Sequence, residues 1–231
     1  YIKSEIKTKE EIRNIQHDCR LVWKYPSEFH IIVPYKKKSE VNKVKGKVAL
    51  DPGIRKFMTS YSEDETIKMN PVGIQKLKDK IDTLKSERSK NGIKKWKFRK
   101  HLLKLEAKIR NRIKNFHYLI VGYLKRFEDV LLPSFDSQEF FGKKRVIKSS
   151  SARDLNILSH YKFKCRLKDS LELSNTKLHI VNEAYTSKTC TRCGILNDVG
   201  SSEVYNCKSC NLTCDRDVNG ARNILIKYLY I

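Results

Sequence analysis

The sequence has no run of about 18 apolar residues, and its first residues show no basic segment followed by an apolar one. The first absence argues against a membrane-spanning helix, and the second argues against a secretory signal peptide. We therefore expect a protein that is not secreted and has no membrane partner. It should be intracellular, in the nucleus if the source is eukaryotic or viral and in the cytoplasm otherwise.

Acidic residues are also scarce, since 26 Asp and Glu stand against 49 Lys and Arg and leave a net charge of +23. A compact chain with such a charge repels itself unless a polyanion offsets it. Nucleic acid is the partner that this excess favours, because neutralisation of backbone phosphates needs many distributed cations. The alternatives are an anionic membrane surface and a basic surface that only aids solubility. Hydrophobic residues make up 39% of the 231 residues, which is enough for a folded core.

The seven cysteines are an odd number, and four of them form two CxxC pairs separated by thirteen residues. This spacing is typical of a zinc ribbon, in which two tight turns present four thiolates to one tetrahedral ion. Four thiolates leave no open position for water, so we expect the zinc to be structural. The predicted ligands are Cys190, Cys193, Cys207 and Cys210. Cys214 is an alternative ligand, whereas Cys19 and Cys165 are expected to be ordinary thiols.

Short apolar runs predict strands, and they alternate with segments of helical periodicity, which indicates an α/β sheet interrupted by insertions. The predicted strands are Glu28–Tyr35, Val48–Leu50, Val130–Pro133 and Leu178–Val181. A terminal amphipathic helix is predicted within Asp215–Ile231, and a further helical stretch spans Ala152–Leu171. Gly142–Ser151 is predicted to be a loop.

The segment Pro71–Phe127 predicts a helical hairpin broken at Asn91-Gly92. Its second half carries ten cations with few interleaved acids, so internal pairing cannot neutralise it, and we expect phosphate contacts there. Tyr118, Tyr161 and Tyr185 could stack on bases, but packing in the core is the stronger expectation for each.

Several carboxylates follow predicted strands. Asp51 ends the strand Val48–Leu50 and precedes Pro52-Gly53, a position from which α/β sheets present acids, although an ordinary turn would look the same. Glu183 follows the strand Leu178–Val181, and Asp215 and Asp217 lie at the start of the terminal helix. Converging carboxylates of this kind can hold two Mg²⁺ ions for phosphodiester hydrolysis. Alternatively, Asp215 caps the helix and Asp217 occupies its first turn.

Three segments together resemble one known family. They are LDPG at residues 50–53, AYTSKTCTRCG at residues 184–194 and CDRDVNGARNIL at residues 214–225. In combination they are similar to the split RuvC-type nuclease domain of TnpB, the transposon-encoded RNA-guided endonuclease whose relatives include Fanzor proteins and type V CRISPR effectors. The resemblance covers residues 45–231. It implies an α/β, RNase H-like (RuvC) mixed sheet with an inserted basic helical hairpin and a small zinc ribbon.

The resemblance also implies roles for individual residues. Asp51 matches the first catalytic acid and Asp217 the third, with Asp215 as the less favoured candidate. The glutamate that TnpB carries after its second strand is replaced here by Ser134, with Asp136 and Glu139 nearby. Many Fanzor proteins carry an alternative glutamate before the YTS motif, and Glu183 occupies that place. The chain therefore looks closer to the Fanzor-like variant.

By the same resemblance, residues 1–44 correspond to the end of a wedge β-barrel domain, and residues 45–231 to the nuclease domain. The insertions are residues 71–127, the basic helical hairpin, and residues 186–214, the zinc ribbon. The implied function is Mg²⁺-dependent cleavage of a DNA target directed by a guide RNA. The alternatives are a catalytically degraded nucleic-acid-binding remnant and a zinc-ribbon factor that binds DNA or RNA. The latter gives no reason for LDPG or DRDVNGARN.

Overall fold

The computed structural model describes residues 10–12, 15–24, 28–34, 45–91, 94–134, 148–200 and 202–230. The chain divides into two compact units, Tyr1–Ser39 and Glu40–Ile231. In the first unit, strand β1 (Arg20–Lys24) pairs in antiparallel orientation with β2 (Glu28–Ile32), and Val22 lies opposite His30. The predicted strand is thus confirmed from Glu28 to Ile32, while Tyr35 lies outside the described residues.

The second unit is built on a mixed five-stranded sheet with the order β5-β4-β3-β6-β7. Its strands are β3 (Lys45–Pro52), β4 (Met58–Ser62), β5 (Thr66–Met69), β6 (Phe127–Pro133) and β7 (Lys177–Val181). The first three form an antiparallel meander, whereas β3, β6 and β7 run parallel to one another. The three strands predicted in this unit are confirmed, and the hydrophilic strands β4 and β5 escaped prediction.

The central strand β3 is covered on both faces, because Val48, Ala49 and Leu50 are all fully buried. Alternation sends Val48 and Leu50 into the larger core, and it places Ala49 beside Ile224 and Leu225 of the C-terminal helix on the other face. Full burial of each such aliphatic side chain contributes about 1.5–3 kcal/mol. The C-terminal helix is therefore fixed against the middle of the sheet.

Five helices surround the sheet and the ribbon in the described part of the second unit. Helices α1 (Ile74–Asn91) and α2 (Lys95–Leu124) lie between β5 and β6 in the chain, as the periodicity predicted. The stretch predicted as one helix is in fact α3 (Ser149–Leu158) and α4 (His160–Leu171), because Ser159 adopts a left-handed backbone conformation between them. Helix α3 also includes Ser149–Ser151, so the prediction of a loop there was wrong.

Helix α5 (Arg216–Tyr230) ends the described chain, and the small strands β8 (Val204–Asn206) and β9 (Thr213–Asp215) precede it as an antiparallel hairpin. Among the described residues, no helix is long and apolar enough to cross a bilayer.

Candidate active site and metal centre

The carboxyl ends of the parallel strands β3, β6 and β7 meet at one edge of the sheet. Ala49 of β3 pairs with Leu131 of β6, and Pro133 of β6 pairs with Val181 of β7. Asp51 and Glu183 each follow one of these paired residues by two positions. Sheet topology thus places two acids that are 132 positions apart in the sequence at the same edge of the sheet, with β6 between their strands.

Asp51 lies where its negative charge is unfavourable. Burial, together with the charges of Asp217 and Glu183, raises the pKa of this carboxyl to about 8, while Arg216 opposes the shift. Like charges disfavour ionisation only when they are close, so Asp217 and Glu183 lie near enough to Asp51 to act on its pKa. A divalent cation would relieve this repulsion, and three carboxylates are the oxygen ligands that Mg²⁺ prefers. The donor set therefore fits the predicted metal.

Helix α5 approaches Asp51 closely because Gly220 faces it. A methyl group at Gly220 would lie 2.7 Å from Asp51 Oδ2. Strand alternation places Asp51 on the same face as Ala49, which packs against α5. The missing side chain at Gly220 thus leaves the space that the Asp51 carboxylate fills.

Asp215 caps helix α5. Its Oδ1 accepts hydrogen bonds from the backbone N–H groups of Asp217 and Val218, at 3.0 Å and 3.2 Å. Its Oδ2 accepts a hydrogen bond from Lys68 Nζ at 2.6 Å. Burial alone would raise the pKa of this carboxyl, but Lys68 and the backbone N–H of Val218 hold it below its usual value. Both oxygens are thus engaged in holding the helix, which agrees with the capping alternative.

Asp217 lies in the first turn of α5, at the positive end of the helix dipole. One of its oxygens, Oδ2, is 3.5 Å from Lys56 Nζ, and the same ammonium lies 3.4 Å from Asp215 Oδ2. Lys56 belongs to the turn that follows Asp51, so the turn and the helix are joined through this cation. Lys56 and Lys68 were not predicted as site residues from the sequence.

Ser134 follows β6 at the same edge of the sheet, is exposed, and donates its backbone N–H to Val181 O at 3.1 Å. No carboxylate therefore stands at this position. Asp136 and Glu139, the other acids considered there, lie outside the described residues.

The four predicted cysteines gather at one point in the second unit. Their sulfur atoms all lie within 4.8 Å of one another, with Cys190 Sγ and Cys210 Sγ 3.6 Å apart, and Cys193 Sγ and Cys207 Sγ also 3.6 Å apart. A tetrahedral ion about 2.3 Å from each sulfur would set the sulfurs about 3.8 Å apart. The cluster therefore fits zinc.

Cys214 is not part of this four-sulfur group and lies on β9, partly buried against it. The alternative ligand is thus not supported by the geometry. Cys19 lies directly before β1, and Cys165 lies in α4. Both thiols are partly buried, as expected of ordinary cysteines.

Two buried asparagines connect the ribbon to α5. Asn219 Nδ2 donates to Thr189 O at 2.8 Å, and Asn223 Nδ2 donates to Thr186 O and Thr189 O at 2.8 Å and 2.6 Å. These bonds fix the segment between Glu183 and Cys190 to the helix that carries Asp217. No role was predicted for these two asparagines from the sequence. Their positions, i and i+4 on the apolar face of α5, nevertheless indicate polar contacts in the core.

The turn after Asp51 is held from the opposite face of the sheet. His160, on α4, stacks on Phe57 with ring centroids 4.6 Å apart, and its Nε2 donates to Gly53 O at 3.0 Å. Burial lowers the pKa of His160 to about 4, so the ring is neutral near pH 7. His117 packs on the same phenylalanine, and burial together with Arg166 lowers its pKa to about 4.

The tyrosines contradict the expectation of core packing. Tyr118, Tyr161 and Tyr185 are 53%, 71% and 68% exposed. Lys114 Nζ and the Arg166 guanidinium lie 5.8 Å and 5.7 Å from the Tyr118 ring centre, within cation–π range. Tyr118 and Tyr161 lie on the exposed faces of α2 and α4, and Tyr185 lies in the turn after β7 with a left-handed backbone conformation. The structure thus leaves them accessible to a ligand.

Comparison with known proteins finds relatives of this chain. A family model described as "Cas12f1-like, TNB domain" matches residues 160–224. Two TnpB-like proteins of Acanthamoeba polyphaga mimivirus, L79 and L770, are each 36% identical to this chain over 199 residues, which is 81% of this chain and 38% of either protein. The chain therefore spans about two fifths of the length of these curated relatives.

Two solved structures share the fold. The protein in a Cas12f1–sgRNA–target DNA complex aligns with 77% of this chain and 48% of its own, with a TM-score of 0.52 and 17% identity. The mini-RNA-guided endonuclease CRISPR-Cas_phi3 aligns with 82% of this chain and 47% of its own, with a TM-score of 0.50 and 12% identity.

The mixed sheet, the acids at its edge and the four-cysteine ribbon define an RNase H-like, RuvC-type α/β protein. The sequence matches in addition support a TnpB-type family protein.

Proposed function

We propose that this chain carries the catalytic part of a metal-dependent DNA endonuclease, directed by a guide RNA and associated with a transposable element. Three observations support the proposal: Asp51 and Glu183 lie at one edge of the sheet, Gly220 of the helix that carries Asp217 lies against Asp51, and the charges of Asp217 and Glu183 help to raise the pKa of Asp51. Solitary surface acids do not repel one another in this way, whereas nuclease acids that share metal ions must lie close together.

In this proposal Asp51, Glu183 and Asp217 hold two Mg²⁺ ions, and bound Mg²⁺ would activate water and stabilise the leaving oxygen of a phosphodiester. Gly220 leaves room for the Asp51 carboxylate, and Asp215 orients the first turn of α5 so that Asp217 faces the site. Glu183 is the second metal-binding acid, because Ser134 has no carboxylate. A glutamate at this place is the Fanzor-like arrangement. Zinc on the four cysteines would hold Glu183 and Asp217 in register without joining the chemistry.

The basic helices support nucleic acid as the partner. Helix α2 carries many exposed cations. They are Lys95, Lys97, Arg99, Lys100, Lys104, Lys108, Arg110, Arg112 and Lys114. Their spacing along a helix of 30 residues suits the phosphate backbone of a guide RNA or of an RNA–DNA duplex. The solved structure with 48% coverage is itself a complex with guide RNA and target DNA.

The test is cleavage of DNA by the purified protein, with Mg²⁺ and its co-purified RNA, compared with the Glu183→Gln variant. We expect Glu183→Gln to lower the cleavage rate at least 100-fold without changing the affinity for nucleic acid. Asp198→Asn is a matched control, because Asp198 is a highly exposed acid of the ribbon. Full cleavage by Glu183→Gln would remove Glu183 from the site.

The second candidate is a binding module that no longer cleaves, and the exposed Ser134 at the edge of the sheet favours it. This candidate expects salt-dependent nucleic-acid binding with no cleavage at any Mg²⁺ concentration. The same cleavage assay, supplemented with binding measured at several salt concentrations, separates the two candidates.

A further inference from the structure

Lys56 occupies the space between two acids of the candidate site. Its Nζ lies 3.4 Å from Asp215 Oδ2 and 3.5 Å from Asp217 Oδ2, and its side chain is only 26% exposed. Of these acids, Asp215 already binds Lys68 and caps α5, whereas Asp217 is proposed to bind metal. Lys56 therefore contacts a carboxylate that a divalent cation would need.

The backbone that carries Lys56 is fixed from both sides. Gly53 N–H donates to Phe57 O at 3.2 Å, and Gly53 O accepts the hydrogen bond from His160. Phe57, the next residue, is fully buried against His160. The position of Lys56 is thus set by the same turn that follows Asp51, and only its side chain is free to move.

The charges of the neighbouring carboxylates explain why the Lys56 ammonium lies between Asp215 and Asp217. Burial alone would lower the pKa of Lys56, but Asp215 and Asp217 raise it above its usual value. The negative charges of Asp217 and Glu183 also disfavour ionisation of Asp51. A lysine that contacts one of them partly offsets this repulsion in the same way as a metal ion, though with a single charge.

We infer that Lys56 is a built-in counter-ion of the active site, which competes with divalent cations for Asp217 and must leave that carboxylate when metal binds. The inference rests on the proposed function, because it takes Asp217 as a metal ligand. Its consequence is a weaker intrinsic affinity for metal than the carboxylates alone would give. The site would therefore fill at higher metal concentrations than it would without Lys56.

The test is a Mn²⁺ titration of the zinc-loaded protein, followed by electron paramagnetic resonance of free Mn²⁺, without DNA. Lys56→Met keeps the length of the side chain and removes its charge, and we expect it to bind Mn²⁺ about three- to tenfold more tightly. Arg55→Met is the matched control, because the neighbouring Arg55 is exposed and pairs with Glu203 instead. Arg55→Met should bind Mn²⁺ within about twofold of the wild type.

Two further variants complete the design. Lys56→Arg restores the charge and should return the affinity towards the wild-type value, which excludes an effect of altered packing. Asp217→Asn tests whether Mn²⁺ binds at the acids. It should abolish the Mn²⁺ binding that Lys56→Met strengthens.

If wild type and Lys56→Met bind Mn²⁺ equally, and Asp217→Asn abolishes that binding, the counter-ion role is overturned while the metal site stands. If neither wild type nor Lys56→Met binds Mn²⁺, both the counter-ion role and the proposed function are overturned.

Discussion

His160 donates a hydrogen bond from its Nε2 to the carbonyl oxygen of Gly53, at 3.0 Å, and so joins α4 to the turn that follows Asp51. The bond requires a proton on Nε2, and the burial that lowers the pKa of His160 to about 4 keeps the ring uncharged. The geometry at Asp51 therefore depends on a histidine on the far side of the sheet.

The first prediction concerns pH. His160 and His117 both have native pKa values of about 4, below the unfolded value of 6.5. A lowered histidine pKa gives stability that is present above pH 6.5 and is lost as the pH falls through 4. Each histidine would account for a loss of about 3 kcal/mol at most across this range. Urea unfolding at pH 7 and at pH 4.5 measures the loss.

His160→Phe keeps the stacking on Phe57 but cannot be protonated, so we expect a smaller loss of stability on acidification than in the wild type. At pH 7 the variant should be less stable by roughly 1–2 kcal/mol, because Gly53 O loses its partner. His101→Gln changes an exposed histidine and should behave as the wild type does. An unchanged pH dependence in His160→Phe would contradict this account of acid unfolding.

The second prediction separates the two aspartates at the start of α5. Asp215→Asn keeps a good helix cap and should leave the free energy of unfolding nearly unchanged, whereas Asp215→Ala should lose about 1 kcal/mol. Asp217→Asn should fold normally and lose DNA cleavage at least 100-fold. Unfolding and cleavage are measured for all three variants. A complete loss of cleavage in a stable Asp215→Asn would instead make Asp215 the metal ligand.

The third prediction concerns the close approach of Gly220 to Asp51. Gly220→Val would place carbon atoms where the Asp51 carboxylate lies, so the carboxylate must rotate away. We expect cleavage to fall at least tenfold, with nucleic-acid affinity unchanged. Gly122→Val is the control on another helix, because a methyl group at Gly122 meets nothing within 4 Å. Similar cleavage by both variants would show that the approach does not matter.

The fourth prediction concerns the ribbon. Elemental analysis of the purified protein should give one zinc per chain, and Cys193→Ser should lose the zinc and the cleavage together. Cys214→Ser should keep both, because Cys214 is outside the four-sulfur group. Strong chelation should likewise abolish cleavage, by releasing the connection between Glu183 and Asp217. If Cys193→Ser kept its zinc and Cys214→Ser lost it, Cys214 and not Cys193 would be the zinc ligand.

The fifth prediction concerns the basic face of α2. Changing Lys97, Lys100, Lys104 and Lys108 to Gln should flatten the dependence of binding on salt, lowering the log–log slope by up to about 3 if all four contact phosphate. The same four positions changed to Arg keep the charge and should keep the slope. An unaltered slope in the Gln variant would place the nucleic acid on another surface.

Much of this architecture could be predicted, because strongly apolar strands and long periodic helices are visible in the sequence. Strands β4 and β5 could not, since Thr59, Ser60 and Ser62 are buried although their side chains are polar. Their burial depends on pairing with β3, which no local pattern reveals. The break between α3 and α4 was hidden for a similar reason, because Ser159 is an ordinary residue in a left-handed conformation.

The same limit of prediction from the sequence applies to the candidate acids. Asp51, Glu183 and Asp217 could be selected as candidates from their positions after strands and within motifs. Their proximity comes from the register between β3, β6 and β7 and from the packing of α5, which are relations between distant segments. Lys56 was missed because a lysine in a basic chain carries no signal until its neighbours in space are known.

The bonds from Asn219 and Asn223 to the backbone at Thr186 and Thr189 have a consequence for how the chain folds. The ribbon closes a short loop and can form early, whereas the pairing of β3 with β6 joins segments about 80 residues apart in the chain. A chain that lacks zinc would then leave the last helix without its anchor. Loss of zinc would thus reduce the fraction of newly made chains in which α5 is held against the ribbon.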